Sequence, residues 1–128
     1  MTELTANVNW LAVIIGAVLA YAFGMLWFSP RLFGTKWALG SGLDPQGPAK
    51  PPVNALVLQA AGTFFLAWLT GITAARNALA TIILIALTIM ALMAGGGFFT
   101  NKSAYAIAAE TGFVAAMVAI MIVVQGIF

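Results

Sequence analysis

Four apolar stretches, each about twenty residues long, constrain this chain more than any other feature of its sequence. They run from about 9 to 28, 53 to 75, 78 to 99 and 104 to 128, and none contains proline. A helix needs about 20 apolar residues to cross roughly 30 Å of hydrocarbon. The first stretch is about twice as long as a signal-peptide core, so we expect it to stay in the mature protein. The sequence predicts an all-α integral membrane bundle of four transmembrane helices, a single domain covering residues 1–128.

Composition excludes a water-soluble domain. Of the 128 residues, 63% are hydrophobic and only 6% are charged, whereas about a quarter of a typical soluble domain is charged. The chain has no cysteine and no histidine, so disulfides and metal or haem sites built from those residues are excluded. Five basic and three acidic residues are too few for a nucleic-acid surface. We therefore expect no cofactor, no metal and no nucleic-acid partner, with the lipid bilayer as the surroundings.

The connections between the stretches predict how the helices are arranged. The one longer loop, residues 29–52, lies between the first two helices, where Gly, Pro and Ser cluster. The connections at 76–77 and 100–103 are short, which makes sequential helices antiparallel neighbours. Lysine and arginine are concentrated in 29–52 and 100–103, and only Arg76 lies on the opposite side. By the positive-inside rule, we expect those two loops in the cytoplasm and both termini outside.

The first stretch ends in a segment rich in aromatic and basic residues, GMLWFSPRLFGTKW at 24–37. Amphipathic rings prefer the headgroup level of a bilayer, a cation can lie among phosphates, and Pro30 biases Ser29 away from helical geometry. We interpret the segment as a membrane exit followed by a short stretch along the cytoplasmic interface. A docking surface for lipid headgroups or for a partner protein is the alternative. The interfacial anchors would be Trp27, Phe28, Arg31, Phe33, Lys36 and Trp37.

The same part of the chain combines three motifs in one order. An Asn-Trp-Leu-Ala helix start is followed by an aromatic-Ser-Pro exit and a Phe-Gly-x-x-Trp segment, at Asn9, Trp10, Leu11, Ala12, Trp27, Phe28, Ser29, Pro30, Phe33, Gly34 and Trp37. In this the chain resembles the bacterial family catalogued as domain of unknown function 1761, and the four-helix layout extends the similarity along the chain. The family's more basic third connection is matched in part by FFTNKSAY at 98–105. The resemblance implies a small bacterial inner-membrane protein and brings no activity with it.

Small residues recur at every fourth position on two of the four stretches. Because lipid tails are as apolar as leucine, membrane helices associate where small residues let their backbones approach closely. We interpret both rows as helix-packing stripes and expect at least one of them to serve a contact between molecules. The stripes are Gly16, Ala20 and Gly24 on the first helix and Ala104, Ala108, Gly112 and Ala116 on the fourth.

Glu110 is the one charged residue inside the four stretches. It follows Lys102 by about two helical turns, which puts its carboxyl roughly 10 Å below the cytoplasmic edge. A charge at this depth is costly and is usually functional. At about 100° per residue, the carboxyl points away from Gly112. If the stripe packs inside the bundle, Glu110 therefore faces lipid and needs a polar cover.

Two interpretations of Glu110 remain open from the sequence. In the first, Gln59, another protomer or a partner subunit covers the carboxyl. The second is a structural carboxyl held by hydrogen bonds or by a snorkelling Arg31 or Lys102. The intramembrane polar cluster would comprise Glu110, Gln59, Asn54, Asn101, Tyr105 and Arg31.

Three functional classes compete. An enzyme is the least favoured, because the sequence offers no nucleophile with a base, no paired intramembrane carboxylates and no metal-ligand spacing. A small proton-coupled transporter using Glu110 is the alternative, and the layout resembles the small multidrug resistance exporters, although those carry their glutamate in the first helix. The leading hypothesis is a structural or accessory protein of the bacterial inner membrane. It would associate with itself, as a homo-oligomer, or with a larger membrane complex.

Overall fold

The computed structural model describes residues 2–43 and 52–128, and these ranges contain helices and no strands. Four helices, α2, α4, α5 and α6, are long and apolar enough to cross a membrane, which confirms the predicted all-α membrane bundle. Their ends lie within one residue of the expected ones. In chain order the helices are α1 (Thr2–Thr5), α2 (Trp10–Trp27), α3 (Gly34–Gly40), α4 (Val53–Ala75), α5 (Leu79–Phe99) and α6 (Ala104–Ile127).

Polar residues define the ends of the spanning helices. Asn9 and Ser103 cap α2 and α6, where each side chain accepts a hydrogen bond from the backbone N–H three residues later, over 3.2 and 3.0 Å. Asn77 and Asn101 follow α4 and α5 in the left-handed conformation, with φ of 53° and 61°. Asparagine tolerates this conformation better than most residues. The chain therefore reverses direction in short turns between α4 and α5 and between α5 and α6.

Hydrogen bonds between distant segments define the two ends of the bundle. The N–H of Ser103 donates to the carbonyl of Gly40 over 2.9 Å, so α3 and the α5–α6 turn lie together at what we term the loop end. The indole of Trp68 donates to the carbonyl of Leu4 over 2.7 Å. This bond holds α1 beside the second half of α4, at the opposite end, termed the terminal end.

Helix α6 lies at the centre of the bundle. It contacts α2, α3, α4 and α5. In its most apolar stretch 44% of the residues are buried, whereas 17% are buried in the corresponding stretch of α5. The largest fully buried side chains are Val13, Thr70, Ile82 and Met121, one from each spanning helix. The hydroxyl of Thr70 donates to the carbonyl of Leu66 over 2.9 Å, so the one polar member is satisfied within its own helix. These residues form the shared core in the terminal half.

Small residues bring α2 against α6. Ala20 is completely buried, and a Cβ on Gly16 would lie 3.6 Å from the backbone of Met121. A Cβ on Gly24 would lie 2.7 Å from the ring of Phe113, closer than carbon atoms normally approach. The predicted stripe on the first helix therefore packs inside the bundle, against α6.

The first part of α4 has little cover from the rest of the chain. Every residue from Val53 to Ala60 is exposed, whereas the buried residues of this helix lie between Thr63 and Thr73. The second half of α4 is thus built into the shared core, and the first half runs along the outside of the bundle at the loop end.

Candidate functional site

The connection between α2 and α4 folds back onto the bundle. Just after α2, the N–H of Gly34 donates to the carbonyl of Ser29 over 2.9 Å. A Cβ on Gly34 would overlap the carbonyl oxygen of Phe28, so glycine is needed at this turn. Helix α3 then packs on the start of α6. The longer loop predicted for residues 29–52 is therefore partly helical, and its residues 44–51 lie outside the described ranges.

Glu110 accepts two charge-assisted hydrogen bonds at one carboxylate oxygen, Oε2. The indole Nε1 of Trp37 donates over 3.0 Å, and the ammonium of Lys102 lies 2.6 Å away. The side chains of Lys102 and Glu110 are 28% and 15% exposed, so the ion pair lies at the edge of the interior. Such hydrogen bonds are about twice as strong as neutral ones. One carboxylate thus joins three segments: α3, the α5–α6 turn and α6.

Glu110 points into the bundle, because the condition under which we expected it to face lipid, a small-residue stripe of α6 packed inside, is not met. At about 100° per residue, its side chain lies in the middle of the buried arc of α6. The expectation assumed that the small-residue stripe packs inside, but larger side chains fill the interior because they bury more surface against α2, α4 and α5. The buried face of α6 consists of Ala106, Ile107, Ala109, Phe113, Val114, Met117, Val118, Met121 and Val124.

The small-residue stripe of α6 lies outside this buried face. Ala104 and Ala108 are exposed, and Gly112 and Ala116 are half-buried. Gly112 still has a neighbour, because a Cβ there would lie 3.3 Å from the ring of Trp27. The part of the stripe nearest the loop end is consequently open to the surroundings of the bundle.

Aromatic rings from the α2 exit pack on α6. The indole of Trp27 donates to a backbone carbonyl of α6 over 2.9 Å. The ring centroid of Phe28 lies 5.3 Å from that of Phe113 and 4.9 Å from that of Trp37, and Phe33 lies 4.7 Å from Trp27. We predicted these rings as anchors among the headgroups. The rings are half-buried, and the fold-back of α3 lets them pack on α6 and on each other's edges.

The two cations of the predicted anchor set remain on the outside. Arg31 and Lys36 are exposed, and within the described ranges neither forms an ion pair. The ammonium of Lys36 lies 5.4 Å from the ring centroid of Tyr105, within the range of a cation–π contact. The structure therefore separates the anchor set into inward aromatic rings and outward cations.

The remaining residues of the predicted polar cluster have other roles. The side chain of Asn54 accepts a hydrogen bond from the N–H of the next residue over 2.9 Å, at the exposed start of α4. Asn101 ends the turn after α5. Gln59 is exposed on α4, and within the described ranges its side chain does not bond to Glu110. Arg31 likewise stays apart, so the cluster was predicted too broadly.

Lys102 is the one partner proposed from the sequence that contacts Glu110 in the described part of the structure. This agrees with the second interpretation, in which a basic side chain holds the carboxyl in place. The second donor, Trp37, was missed as a partner. It lies 73 positions away in sequence, and its contact depends on the fold-back of α3. A tryptophan near a membrane exit is typical of interfacial anchors. The local sequence therefore did not distinguish an anchor from a hydrogen-bond donor to Glu110.

The site offers ion pairing and hydrogen bonding. Its polar groups are a carboxylate, an ammonium and an indole N–H, and they are already bonded to one another. Among residues 2–43 and 52–128, no group of three or more His, Cys, Asp or Glu side chains could hold a metal ion. What the arrangement does is attach α3 to α6 and fix the shape of the loop end.

Comparison with known proteins gives one family. Residues 11–126 match the family described as a protein of unknown function (DUF1761). No curated protein and no solved structure matches the chain. The matched range includes α3 and nearly all of the four spanning helices, so the bundle and the Glu110 site both lie within it.

Proposed function

Because the chain belongs to the DUF1761 family of proteins of unknown function, we propose its role from its own geometry: a structural or accessory membrane protein that associates with itself or with a larger membrane complex. The observation that carries this proposal is Gln59, whose amide is exposed on the spanning helix α4. A polar amide in hydrocarbon costs free energy until it is hydrogen-bonded. Glutamine side chains meet this need by bonding across helices.

The same face of α4 leaves room for a second helix. Gly62 follows Gln59 by three positions, so the two residues lie on neighbouring parts of one face. A Cβ on Gly62 would meet no atom within 4 Å, and every residue from Val53 to Ala60 is exposed. A partner helix lying along this face would reach the amide of Gln59 and approach the α4 backbone closely at Gly62.

The proposed location is the bacterial inner membrane, with the loop end in the cytoplasm and both termini outside. All basic residues except Arg76 belong to the two connections at the loop end, and such an excess favours the cytoplasmic side. The hydrogen bond between Ser103 and Gly40 joins the two connections. Their basic residues are therefore counted on the same side of the membrane.

Energy transfer between two labelled pools of the protein tests self-association. The chain has no cysteine, so Thr2→Cys gives a single labelling position, and the pools are mixed in lipid vesicles at increasing dilution. We expect transfer above the random level for the parent and a clear loss for Gln59→Leu. The matched control is Thr88→Leu on α5, because the hydroxyl of Thr88 is also exposed but already donates to its own helix over 2.8 Å.

Co-purification from native membranes in mild detergent tests association with a larger complex. We expect protein captured with the parent chain to be lost with Gln59→Leu and retained with Thr88→Leu. If Gln59→Leu neither lowers the energy transfer nor changes what co-purifies, the α4 face serves no association and the proposal fails.

The exposed part of the α6 stripe is a second surface that the same measurements can compare. Ala108→Leu adds bulk on the open side of α6, so it should weaken association only if this surface takes part. Gly112→Leu is a poorer test, since its side chain would meet the ring of Trp27 and disturb the α2–α6 contact.

A proton-coupled transporter using Glu110 is the second candidate, favoured by the carboxylate pointing into the bundle. The lateral groove between α2 and α4 is lined by Ala17, Val18, Tyr21, Ala22, Met25, Ala60 and Thr63 and does not include Glu110, which favours the accessory role. Uptake of ethidium into proteoliposomes under a pH gradient tests the candidate. A transporter would show uptake that Glu110→Gln abolishes. Absence of uptake with the parent protein would argue against proton-coupled transport of lipophilic cations.

A further inference from the structure

The outer side of α3 and its flanking residues is largely uncovered in the described chain. Leu32, Leu39 and Leu43 are 46%, 62% and 52% exposed, and Arg31 and Lys36 are exposed as well. The inner side of the same segment is occupied by contacts with α6, and Lys36 lies at its edge, where its ammonium is 5.4 Å from the ring centroid of Tyr105. We term the three leucines and the two cations the outer α3 face.

We propose that the outer α3 face binds the surface of an anionic phospholipid leaflet. In this arrangement the leucine side chains enter the boundary of the acyl chains and the two cations lie at the headgroup phosphates. The combination of exposed apolar side chains and basic residues on one short segment is typical of interfacial elements that recognise acidic lipids. The inference is independent of whether the protein self-associates.

Continuity with the membrane supports this occupant. Helix α2 spans and ends at Trp27, and α3 begins at Gly34, so the outer α3 face starts within a few residues of the point where the chain leaves the hydrocarbon. A leaflet surface is therefore next to this face whenever α2 is inserted. A soluble or membrane partner would instead have to displace lipid from exposed leucines.

Charge also supports an anionic ligand. Arg31 and Lys36 are the only charged residues between Glu3 and Asp44 in the sequence. Glu110, the acid of α6, is already paired with Lys102. Asp44 lies outside the described ranges, and residues 29–43 carry two positive charges and no negative one, which is complementary to phosphate.

The face is held in place before any lipid binds. On its inner side, Trp37 bonds to Glu110 over 3.0 Å, and Gly40 accepts from Ser103 over 2.9 Å. Because these contacts fix the backbone of α3, lipid binding needs little further ordering of the segment.

An environment-sensitive probe at Leu39→Cys tests the proposal. The protein, labelled with NBD, is placed in nanodiscs of phosphatidylcholine alone or with one quarter phosphatidylglycerol, so that both faces of the bilayer are open to water. We expect a blue-shifted NBD emission and at least twofold stronger quenching by doxyl-labelled phosphatidylcholine with phosphatidylglycerol, and loss of that difference in 0.5 M salt.

Two variants and one control position make the test specific. Arg31→Gln, which removes no hydrogen bond within the described ranges, and Lys36→Gln should each reduce the dependence on phosphatidylglycerol. A probe at Leu84→Cys, exposed on α5, should be quenched by the doxyl lipid equally in both lipid compositions. A Leu39 probe that the doxyl lipid leaves unquenched in both nanodiscs would overturn the proposal. A blue shift seen only in native membranes would also overturn it, in favour of a protein partner.

Discussion

Gly24 and Phe113 meet where α2 packs on α6, and the ring lies so close to the glycine that a Cβ would be 2.7 Å from its Cζ. The contact sets how near the two helices come to each other. In this position the ring of Phe113 also packs near Trp27 and Phe28, with centroid distances of 6.1 and 5.3 Å. The absence of one side chain on α2 thus supports the aromatic packing at the loop end.

Gly24→Ala should therefore destabilise the bundle by about 1–3 kcal/mol, because the added methyl overpacks this contact. The matched control is Gly62→Ala, where an added Cβ meets nothing within 4 Å. That change should be neutral or stabilise α4 by about 0.5–1 kcal/mol through helix propensity. The thermal midpoints of both variants in the same detergent distinguish these outcomes. Equal midpoints for the two variants would contradict the close contact.

Trp37→Phe should release α3 from α6, since it removes a hydrogen bond to a charged group worth about 1.5–3 kcal/mol. Ser41→Cys reports the release, because the hydroxyl of Ser41 is buried and has no hydrogen-bond partner in the described part of the chain. We expect maleimide labelling at this position to be slow in the parent. It should be roughly ten- to a hundredfold faster with Trp37→Phe, at about 1.4 kcal/mol per factor of ten. Trp10→Phe, at the terminal end, is the control that should leave the rate unchanged.

Lys102→Met should lower the free energy of unfolding by about 1–2 kcal/mol. Breaking one side of a buried ion pair costs more than this, but partial exposure of Lys102 and Glu110 reduces the loss. Adding Glu110→Gln to the same chain should recover much of the stability, because no unpaired carboxylate is then left. Lys36→Met is the matched control, with only a cation–π contact to lose. Unfolding titrations that find the double variant no more stable than Lys102→Met would argue against the ion pair.

Thr100→Cys and Thr2→Cys should react with an impermeant maleimide from opposite sides of the membrane. Thr100 is exposed in the turn after α5 at the loop end, and Thr2 begins α1 at the terminal end. In intact cells we expect Thr2→Cys to be labelled and Thr100→Cys to be labelled only after the membrane is opened. Labelling of Thr100→Cys alone in intact cells would reverse the proposed orientation.

The spanning helices could be predicted from the sequence because length and apolarity are local properties. A run such as 79–99, which contains no charged residue, must be a helix if it crosses a bilayer, since its backbone groups can be satisfied only within the segment. Asn77 and Asn101 likewise indicated the turns, as short polar residues between two apolar runs. Family membership rested on similarly local motifs around Trp27 and Trp37.

The inward face of each helix could not be predicted in the same way. In water, burial separates apolar from polar residues around a helix, but in a membrane both the core and the lipid are apolar. On α6, Met117 is buried and Val123 is exposed, although both side chains are apolar and could lie in the protein core or against lipid. The direction of Glu110 was therefore inferred from an assumption about the small residues. The contact with Trp37 required the fold-back of α3, which no local pattern specifies.

The central position of α6 has a consequence for how the protein is made. The indole of Trp27 cannot form its hydrogen bond to the carbonyl of Ala109 until that residue, 82 positions further along the chain, has been synthesised. At about 5–20 residues per second, a ribosome needs roughly 4 to 16 seconds to cover that distance. During this interval α4 and then α5 are synthesised while α2 still lacks the helix on which it packs, so the synthesis of α2 and its assembly with α6 are separate events in time. A chain that ended before Ala104 would lack the helix that contributes most of the buried apolar residues, so the earlier helices alone would have little shared core.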